Sequence, residues 1–550
     1  MLAPAAPARA VSGHARATAA RGRAAGGWAG AGIISAPGGP YLVDALGRRL
    51  QLHGTNLVGK CGGGATDTTA PGTPCVGPPW GHHLAYVLSP TAADPGRRFT
   101  ADDARTLASL GFNVVRLGII WEGLEPGPPS SVPNDPRYCA PHRRGRPFPS
   151  LGRADPYRAT TVRAYLRRTD VIVRLLAAAG IRVIVDMHSD AFGSAFWNSE
   201  SLTPWNGEGA PAWATCTNGV RFIPPKAWGA AYRSRPVRIA IHHFWANDVR
   251  ADLQAQYARV WQAVVRHYRG NADVLGYELA NEPNDYLVPS ADRELQCDYG
   301  GPQHEPRSCA LSRAAALPGG LIGAIRAVDP GHVVFFEPSG STVFGAPETI
   351  GIAEPLRFSD LALAFHVYGP VARQLRMTAR ERAATRTEQQ PGGPAWIMDE
   401  FGASGYAPGT ATTVAAADSV HLSWAYWAAF QLNDPTGGDS TEGLLDDETR
   451  AAYPGMAAAT AVPYPWATAG TPGPQSFDSA TRVFRFRYAV DRSVHAPTEI
   501  ELPAYTYSNG YTVSVRGARV QSPRGATLLA LRALPGARTV SVTVRPRISP

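Results

Sequence analysis

At 550 residues the chain exceeds one ordinary domain, and a hydrophobic content of 44% excludes overall disorder. The net charge of +9 gathers at the ends: residues 1–30 carry Arg9, Arg16, Arg21 and Arg23 and no acid, and residues 456–550 carry eleven arginines against Asp478, Asp491, Glu499 and Glu501. No zinc-finger, RNP-type or basic-helix pattern accompanies that charge, which argues against a nucleic-acid partner, and no apolar run is long enough to span a bilayer.

Residues 1–34, rich in Ala, Gly and Arg, read as a disordered leader or the remnant of a signal peptide. From about residue 40 short β-branched runs alternate with longer helical stretches. Leu50–Leu57 reads as a first strand. Thr100-Ala-Asp-Asp opens a helix in the manner of a capping box, with Asp in place of Glu, and Gly111 ends it. Asn113–Ile119 is the second strand. Thr161–Ala179 is an amphipathic helix stopped by Gly180, and Ile181–Met187 the third strand. Asp248–Tyr268 is helical, Val274–Ala280 the fourth strand, and Ser312–Val328 helical. His332–Phe336, Leu361–Val367, Ala395–Met398 and His421–Tyr426 are strands five to eight. Eight β segments mostly separated by helices predict an α/β fold, a (β/α)₈ TIM barrel over residues 35–460. A doubly wound sheet is the competitor, but Gly62-Gly63-Gly64 lacks the spacing of a dinucleotide loop. After Tyr464 the pattern becomes short alternating strands, such as Phe484-Arg-Phe-Arg-Tyr488, with a turn at Asn509-Gly510. That predicts a C-terminal antiparallel β-sandwich over residues 461–550.

The six cysteines sit in loop stretches without a Cys-x-x-Cys. Disulfides fit better than zinc and imply a secreted, extracellular protein. The expected pairs are Cys61–Cys75 and Cys297–Cys309 as local loops, leaving Cys139–Cys216. Between Asp190 and Trp245 lies a long excursion holding five of the thirteen tryptophans. Its rings suit sugar stacking or an apolar groove, and equally a small core of the loop's own.

Residues just past the eight runs are polar or aromatic: Asn56 and Lys60, Arg116, His188 and Asp190, Asn281 and Glu282, Glu337, His366 and Tyr368, Glu400, and Trp427. A barrel opens all these ends on one face. Glu282 and Glu400 each follow an apolar run, where an unpaired charge is costly. Either alone also reads as a helix cap or ion-pair partner. Together they supply what glycoside hydrolysis requires, a nucleophile and an acid/base. With Glu400 as nucleophile, Arg116 is expected beside it and Tyr368 to donate to it, keeping it ionised. A negative Glu400 would in turn help Glu282 hold its proton. Asn281 is expected on the sugar 2-hydroxyl, and His188 and His366 to place hydroxyls or orient carboxylates. No metal or other cofactor is expected: His82-His83 and His242-His243 lack helical metal spacing. Pro338-Ser-Gly-Ser341 does not match a serine-hydrolase elbow.

With these residues in place the chain resembles glycoside hydrolase family 5: Asn281-Glu-Pro283 is similar to that family's acid/base strand end and Glu400-Phe-Gly402 to its nucleophile strand end. Arg116, His188, His366, Tyr368 and Trp427 fall where the family has supporting residues. Within the family it looks most like the endoglycoceramidases, through His53-Gly-Thr-Asn-Leu-Val-Gly-Lys60, Asp186-Met-His-Ser-Asp190, Gly209-Ala-Pro-Ala-Trp-Ala214, Phe365-His-Val-Tyr-Gly369 and Ala467-Thr-Ala-Gly470. The resemblance implies cleavage between oligosaccharide and ceramide with retention of configuration, and sugar contacts from Lys60, Asp190 and Trp245. Ser189 stands where Gln is expected, and Asn284-Asp285 follows in place of an apolar residue and glycines, which bears on which glycan fits. The expected partners are a glycosphingolipid or oligosaccharide substrate and transient contact with a membrane or micelle surface, the protein itself being a monomer. The alternatives are an endo-β-1,4-glucanase or mannanase on the same barrel, or a non-catalytic glycan- or glycolipid-binding protein.

Overall fold

The computed structural model describes residues 28–59, 99–127, 139, 156–198, 205–226, 228–246, 249, 252–283, 320–337, 358–368, 376, 393–403, 405–430 and 442–547. Eight parallel strands close into a barrel: β1 (His53–Val58), β2 (Val114–Ile120), β3 (Arg182–His188), β4 (Val274–Glu278), β5 (Val333–Phe336), β6 (Leu361–Val367), β7 (Ala395–Phe401) and β8 (Ser423–Tyr426). Each pairs with the next in sequence, and β8 returns to β1 with Trp424 opposite His53. The eight predicted strands are the barrel strands, and the closed order excludes the doubly wound sheet.

Helices on the outside cover the barrel: α1 (Ala101–Ser109), α2 (Pro156–Ala178), α3 (Arg235–Ala246), α4 (Leu253–Tyr268), α5 (Gly320–Arg326), α6 (Ala407–Ser419) and α7 (Pro454–Thr460). The predicted capping box starts α1: the Asp103 backbone N–H donates to Thr100 Oγ1 at 3.3 Å, and the Thr100 N–H donates to Asp103 Oδ2 at 2.7 Å. Two orphan donors of the first turn are thereby satisfied. Helix α3 lies inside the aromatic excursion, where sequence periodicity did not single it out.

The lower, N-terminal mouth of the barrel is plugged by apolar side chains. Val114, Ile184, Leu275, Val333, Phe335, Ala362, Ala364, Ala395 and Ile397 meet Ala31, Ile34, Leu42, Leu50, Tyr464 and Trp466 in one buried cluster. Burying a large apolar side chain is worth about 1.5–3 kcal/mol, so this plug is a substantial part of the fold. It also corrects the reading of residues 28–34 as leader, while residues 1–27 lie outside the described residues. Ala31 and Ile34 are fully buried, and Trp28 Nε1 donates to the Gly180 carbonyl at 3.2 Å.

The C-terminal strands are β9 (Tyr464–Thr468), β10 (Gly470–Asp478), β11 (Val483–Val490), β12 (Thr498–Glu501), β13 (Tyr511–Arg516), β14 (Ala518–Val520), β15 (Leu528–Ala533) and β16 (Thr539–Pro546). One antiparallel sheet has the order β10-β11-β16-β13. The other runs through β9, β12, β15 and β14, and it begins with a hairpin from before the barrel, Leu42–Val43 and Arg49–Leu50. Phe484, Phe486, Ile500, Leu529, Leu531 and Val542 interleave between the sheets as a core, the expected sandwich. Buried Arg48 fastens the hairpin, its Nε 2.8 Å from Asp44 Oδ2 and its Nη1 2.7 Å from Glu499 Oε2. With one end of the barrel closed this way, the strand C-termini form the open end.

Candidate active site

The site is assembled from strand ends around one buried arginine. Arg116, inward on β2, donates to Glu278 from Nε (3.0 Å, to Oε2) and Nη2 (2.6 Å, to Oε1). Its Nη1 donates to Asn56 Oδ1 at 3.1 Å, and its Nη2 also donates to Asn281 Oδ1 at 2.8 Å. Carboxylates of Asp186, Glu337, Asp399 and Glu400 lie 3.2, 3.2, 3.3 and 3.7 Å from the guanidinium. The expectation of Arg116 beside Glu400 holds as a contact at 3.7 Å, but its bidentate partner is Glu278. Residues Glu278 and Arg116 face each other across the barrel interior, and a fork of two parallel N–H donors matches a carboxylate.

His366, at the end of β6, stands between the two candidate catalytic acids. Its Nδ1 is 2.8 Å from Glu282 Oε1 and 2.5 Å from Glu400 Oε2. One oxygen of each glutamate lies within 4.8 Å of the other. Glu282 takes a left-handed backbone, φ +40°, just past β4. On β7 the pairing with β6 shifts register between Phe365 and His366, so that His366 faces Glu400. Consecutive residues of a regular strand point to opposite faces. Here Asp399 and Glu400 both reach the interior, 3.3 and 3.7 Å from Arg116, as a local irregularity permits. Gly402, with φ +105°, lies two residues after Glu400; a Cβ there would collide with the Tyr426 ring, so the turn after the strand requires glycine.

The charges sort by environment. Burial alone would raise Glu400, but the His366 imidazolium, then Arg116 and His188, bring it below the usual carboxylate range. Burial likewise works against Glu278, and the Arg116 fork outweighs it, down to about 2. Burial would lower His366, yet the charges of Glu337 and Glu400 raise it well above the usual histidine value. Burial would lower Arg116 too, and the surrounding carboxylates reverse that. Asp186, Glu337 and Asp399 are pushed up, first by burial and then by neighbouring acids. The site therefore keeps a charged core, Arg116 with Glu278 and His366 with Glu400, inside a ring of carboxyls whose proton affinity is raised.

The other expected residues fall as follows. Asn281 Nδ2 donates to the Ser189 carbonyl at 3.0 Å, and with Arg116 on its Oδ1 the amide is rigidly oriented. Ser189 in turn donates from Oγ to the Asn281 carbonyl at 3.4 Å. His188 Nδ1 is 2.8 Å from Asp186 Oδ2, which turns Nε2 toward Asp190 Oδ2 at 4.0 Å. Asp190 Oδ1 accepts from the Tyr232 hydroxyl at 3.1 Å. Trp427 stacks on His188 with ring centroids 5.3 Å apart and donates from Nε1 to buried Glu442 at 3.1 Å. The Tyr368 ring lies 6.4 Å from that of His366. Lys60 lies outside the described residues, as do the expected pairs Cys61–Cys75 and Cys297–Cys309. Cys139 and Cys216 form a disulfide with Cα atoms 5.4 Å apart.

An open cavity runs beside Glu282, lined on one side by His188, Ser189 and Asn281 and on the other by Trp121, Phe192, Ile241, Phe244, Trp245 and Tyr257. The aromatic excursion thus does both things expected of it. Phe192 and Trp245 pack on a small core of Phe196, Val237, Ala240 and Ile241, and the same segment walls the cavity. Trp245 belongs to this wall.

Sequence reading missed Glu278, Asp186, Asp399 and Glu442 as site components and left Glu337 as a strand end without a role. The signal for one of them is the period of two: Asp186 precedes His188 by two residues on β3. At Glu278 the alternation is broken by a register shift between β3 and β4, with Leu275 turned into the barrel and Val274 packed on the outer helices. Among the described residues, three groups have ligand atoms close enough for a cation: Glu278–Glu337–His366–Asp399, His188–Asp190–Glu208 and Glu282–His366–Glu400. In the first and third, Arg116 or the His366 imidazolium already supplies the positive charge.

Comparison with known proteins agrees with this geometry. Residues 90–432 match the cellulase family, glycosyl hydrolase family 5, and residues 463–544 match the glycoside hydrolase family 5 C-terminal domain. Endoglycoceramidase I of Rhodococcus hoagii (strain 103S) is 26% identical over 514 residues, 89% of this chain and 84% of that protein. Endoglycoceramidase of Cyanea nozakii is 26% identical over 352 residues, 60% of this chain and 55% of that one. The fold is that of endo-glycoceramidase II from Rhodococcus sp., solved as a ganglioside GM3 complex, with a TM-score of 0.65 and 24% identity over 93% of this chain and 100% of that chain. A family match over barrel strands β2 to β8 and a second over the sandwich lead to one conclusion: the chain belongs to glycosyl hydrolase family 5 and is a glycosidase.

Proposed function

We propose that the protein hydrolyses the β-glycosidic bond between the oligosaccharide and the ceramide of glycosphingolipids, with retention of configuration. The observation that carries this reading is the pair Glu282 and Glu400, an oxygen of each within 4.8 Å across His366, beside a cavity walled by aromatic and aliphatic side chains. Inverting enzymes hold their carboxyls about 6.5–9.5 Å apart to admit a water, and retaining enzymes about 5–5.5 Å.

In the first step a Glu400 oxygen attacks the anomeric carbon while Glu282 delivers its proton to the departing ceramide oxygen, leaving a glycosyl ester on Glu400. In the second, Glu282 takes a proton from water, the water oxygen attacks the same carbon, and Glu400 leaves as carboxylate. Two inversions give net retention. The lowered Glu400 is ionised for attack. His366 Nδ1 touches both carboxyls, so its proton follows the negative charge from Glu400 in the free enzyme to Glu282 in the intermediate. Asn281, fixed by Arg116 and Ser189, is read as the donor to the sugar 2-hydroxyl, and His188, Asp190, Tyr368, Trp427 and Lys60 as further sugar contacts. The leaving group must lie next to Glu282, and the neighbouring apolar cavity suits a lipid better than a second sugar. Similarity to endoglycoceramidases supports that choice. The Cys139–Cys216 disulfide supports an exported protein working in an oxidising compartment.

The test is incubation with a panel of glycosphingolipids in detergent beside cellulose and mannan oligomers, with released glycans read by mass spectrometry. Intact oligosaccharide from at least one glycosphingolipid is expected. Cleavage of the cellulose or mannan oligomers alone contradicts the reading.

A further inference from the structure

We propose that Glu337 is a positioning residue for this hydrolysis: its buried carboxyl fixes the backbone of Glu282 and the outward nitrogen of His366, so that the other imidazole nitrogen always presents its N–H to the catalytic pair. The proposal rests on reading Glu282 and Glu400 as the catalytic acids.

The geometry is a closed loop. The Glu282 backbone N–H donates to Glu337 Oε2 at 3.2 Å. Glu282 Oε1 is 2.8 Å from His366 Nδ1, and His366 Nε2 is 3.4 Å from the same Glu337 Oε2. One carboxylate oxygen therefore holds the acid/base directly through its main chain and indirectly through its side chain. The second oxygen, Oε1, accepts from Arg116 Nη2 at 3.2 Å, so the carboxyl is anchored independently of any substrate. That anchoring matters at Glu282, whose φ of +40° is a left-handed conformation that a non-glycine residue holds only when its surroundings impose it.

A neutral imidazole carries one N–H, and the partner of one nitrogen decides which nitrogen has it. Nε2 faces Glu337 at 3.4 Å and Asp399 Oδ1 at 3.9 Å. The contact with Glu337 is electrostatic: a carboxylate there favours the doubly protonated ring, in which Nδ1 keeps its own N–H for Glu282 and Glu400. Without Glu337 the ring can turn its single N–H away and leave Glu400 without its closest donor. The groups facing this unit are Glu282 and Glu278 from the β4 strand and its end, Arg116 from β2, Asp186 from β3, and Asp399 and Glu400 from β7.

The test compares wild type, Glu400→Gln, Glu337→Gln and Glu337→Asp on the glycosphingolipid cleaved fastest in the panel, recording kcat, KM and the pH profile, with thermal unfolding as the check on folding. Glu337→Gln is expected to keep KM, to lose about 10- to 100-fold in kcat, and to move the alkaline limb of the profile down by about one pH unit as His366 loses a charged neighbour. Glu337→Asp, which keeps the charge and shortens the reach, is expected to lose kcat with the profile in place, and it serves if the amide variant does not fold. Wild-type kcat in either variant, or a Glu337→Gln loss with an unmoved profile, overturns the proposal. If Glu400→Gln retains turnover, the reading of the catalytic pair itself has failed, and the two failures are thereby distinguished.

Discussion

Replacing Arg116 with methionine removes the guanidinium that serves five buried carboxyls, and the structure sets the size of the effect. Glu278 is brought from an ordinary 4.5 to about 2, mainly by Arg116 working against burial. A shift of about 2.5 units at about 1.4 kcal/mol each corresponds to roughly 3–4 kcal/mol. Breaking a buried ion pair by removing one partner costs about 3–5 kcal/mol, and the two figures agree. The folded value is depressed, so this contribution is present above the unfolded value of about 4.5 and is lost as pH falls through about 2. Urea unfolding of Arg116→Met near neutral pH should therefore show roughly 3–5 kcal/mol less stability than wild type. The double variant Arg116→Met/Glu278→Leu should recover half or more of that loss, because Glu278, the carboxylate that Arg116 holds bidentately, is no longer buried without its partner. Activity should not return with stability, since Asn281 and Glu400 also depend on Arg116. A single variant within about 1 kcal/mol of wild type, or a double variant no more stable than the single, would refute the reasoning.

Glu282→Ala should lose turnover of glycolipids but regain it with azide on a substrate carrying a good leaving group; no rescue would count against its acid/base role. Ile241→Ser, in the cavity wall, should raise KM for a ceramide-linked substrate about tenfold, from roughly 1.4 kcal/mol of lost apolar contact. It should leave KM for an aryl glycoside of the same sugar unchanged, and equal effects on both substrates would remove the cavity from lipid binding.

The barrel was legible because its strands are buried on both faces and read as continuous apolar runs such as Leu361–Val367. Glu282 and Glu400 stood out because each ends such a run. The carboxyls beneath them were not legible. Glu278, Asp186 and Asp399 lie inside the runs, and their pairing depends on the register between strands distant in sequence. Arg116 illustrates the limit: its placement at the site followed from the sequence, but the choice of Glu278 over Glu400 as bidentate partner is set by the geometry across the barrel interior. The packing of Trp28, Ala31 and Ile34 was hidden for a different reason. Their Ala-, Gly- and Arg-rich surroundings have no period, and their burial comes from Trp466, the barrel floor and Arg182, whose guanidinium sits 4.2 Å over the Trp28 ring.

The most direct test of the central claim is proton NMR of the first-formed glycan during cleavage of a glycosphingolipid, before mutarotation. Double displacement by Glu400 and Glu282 predicts an intact oligosaccharide released as the β-anomer. First release of the α-anomer, or of monosaccharides alone, would contradict it.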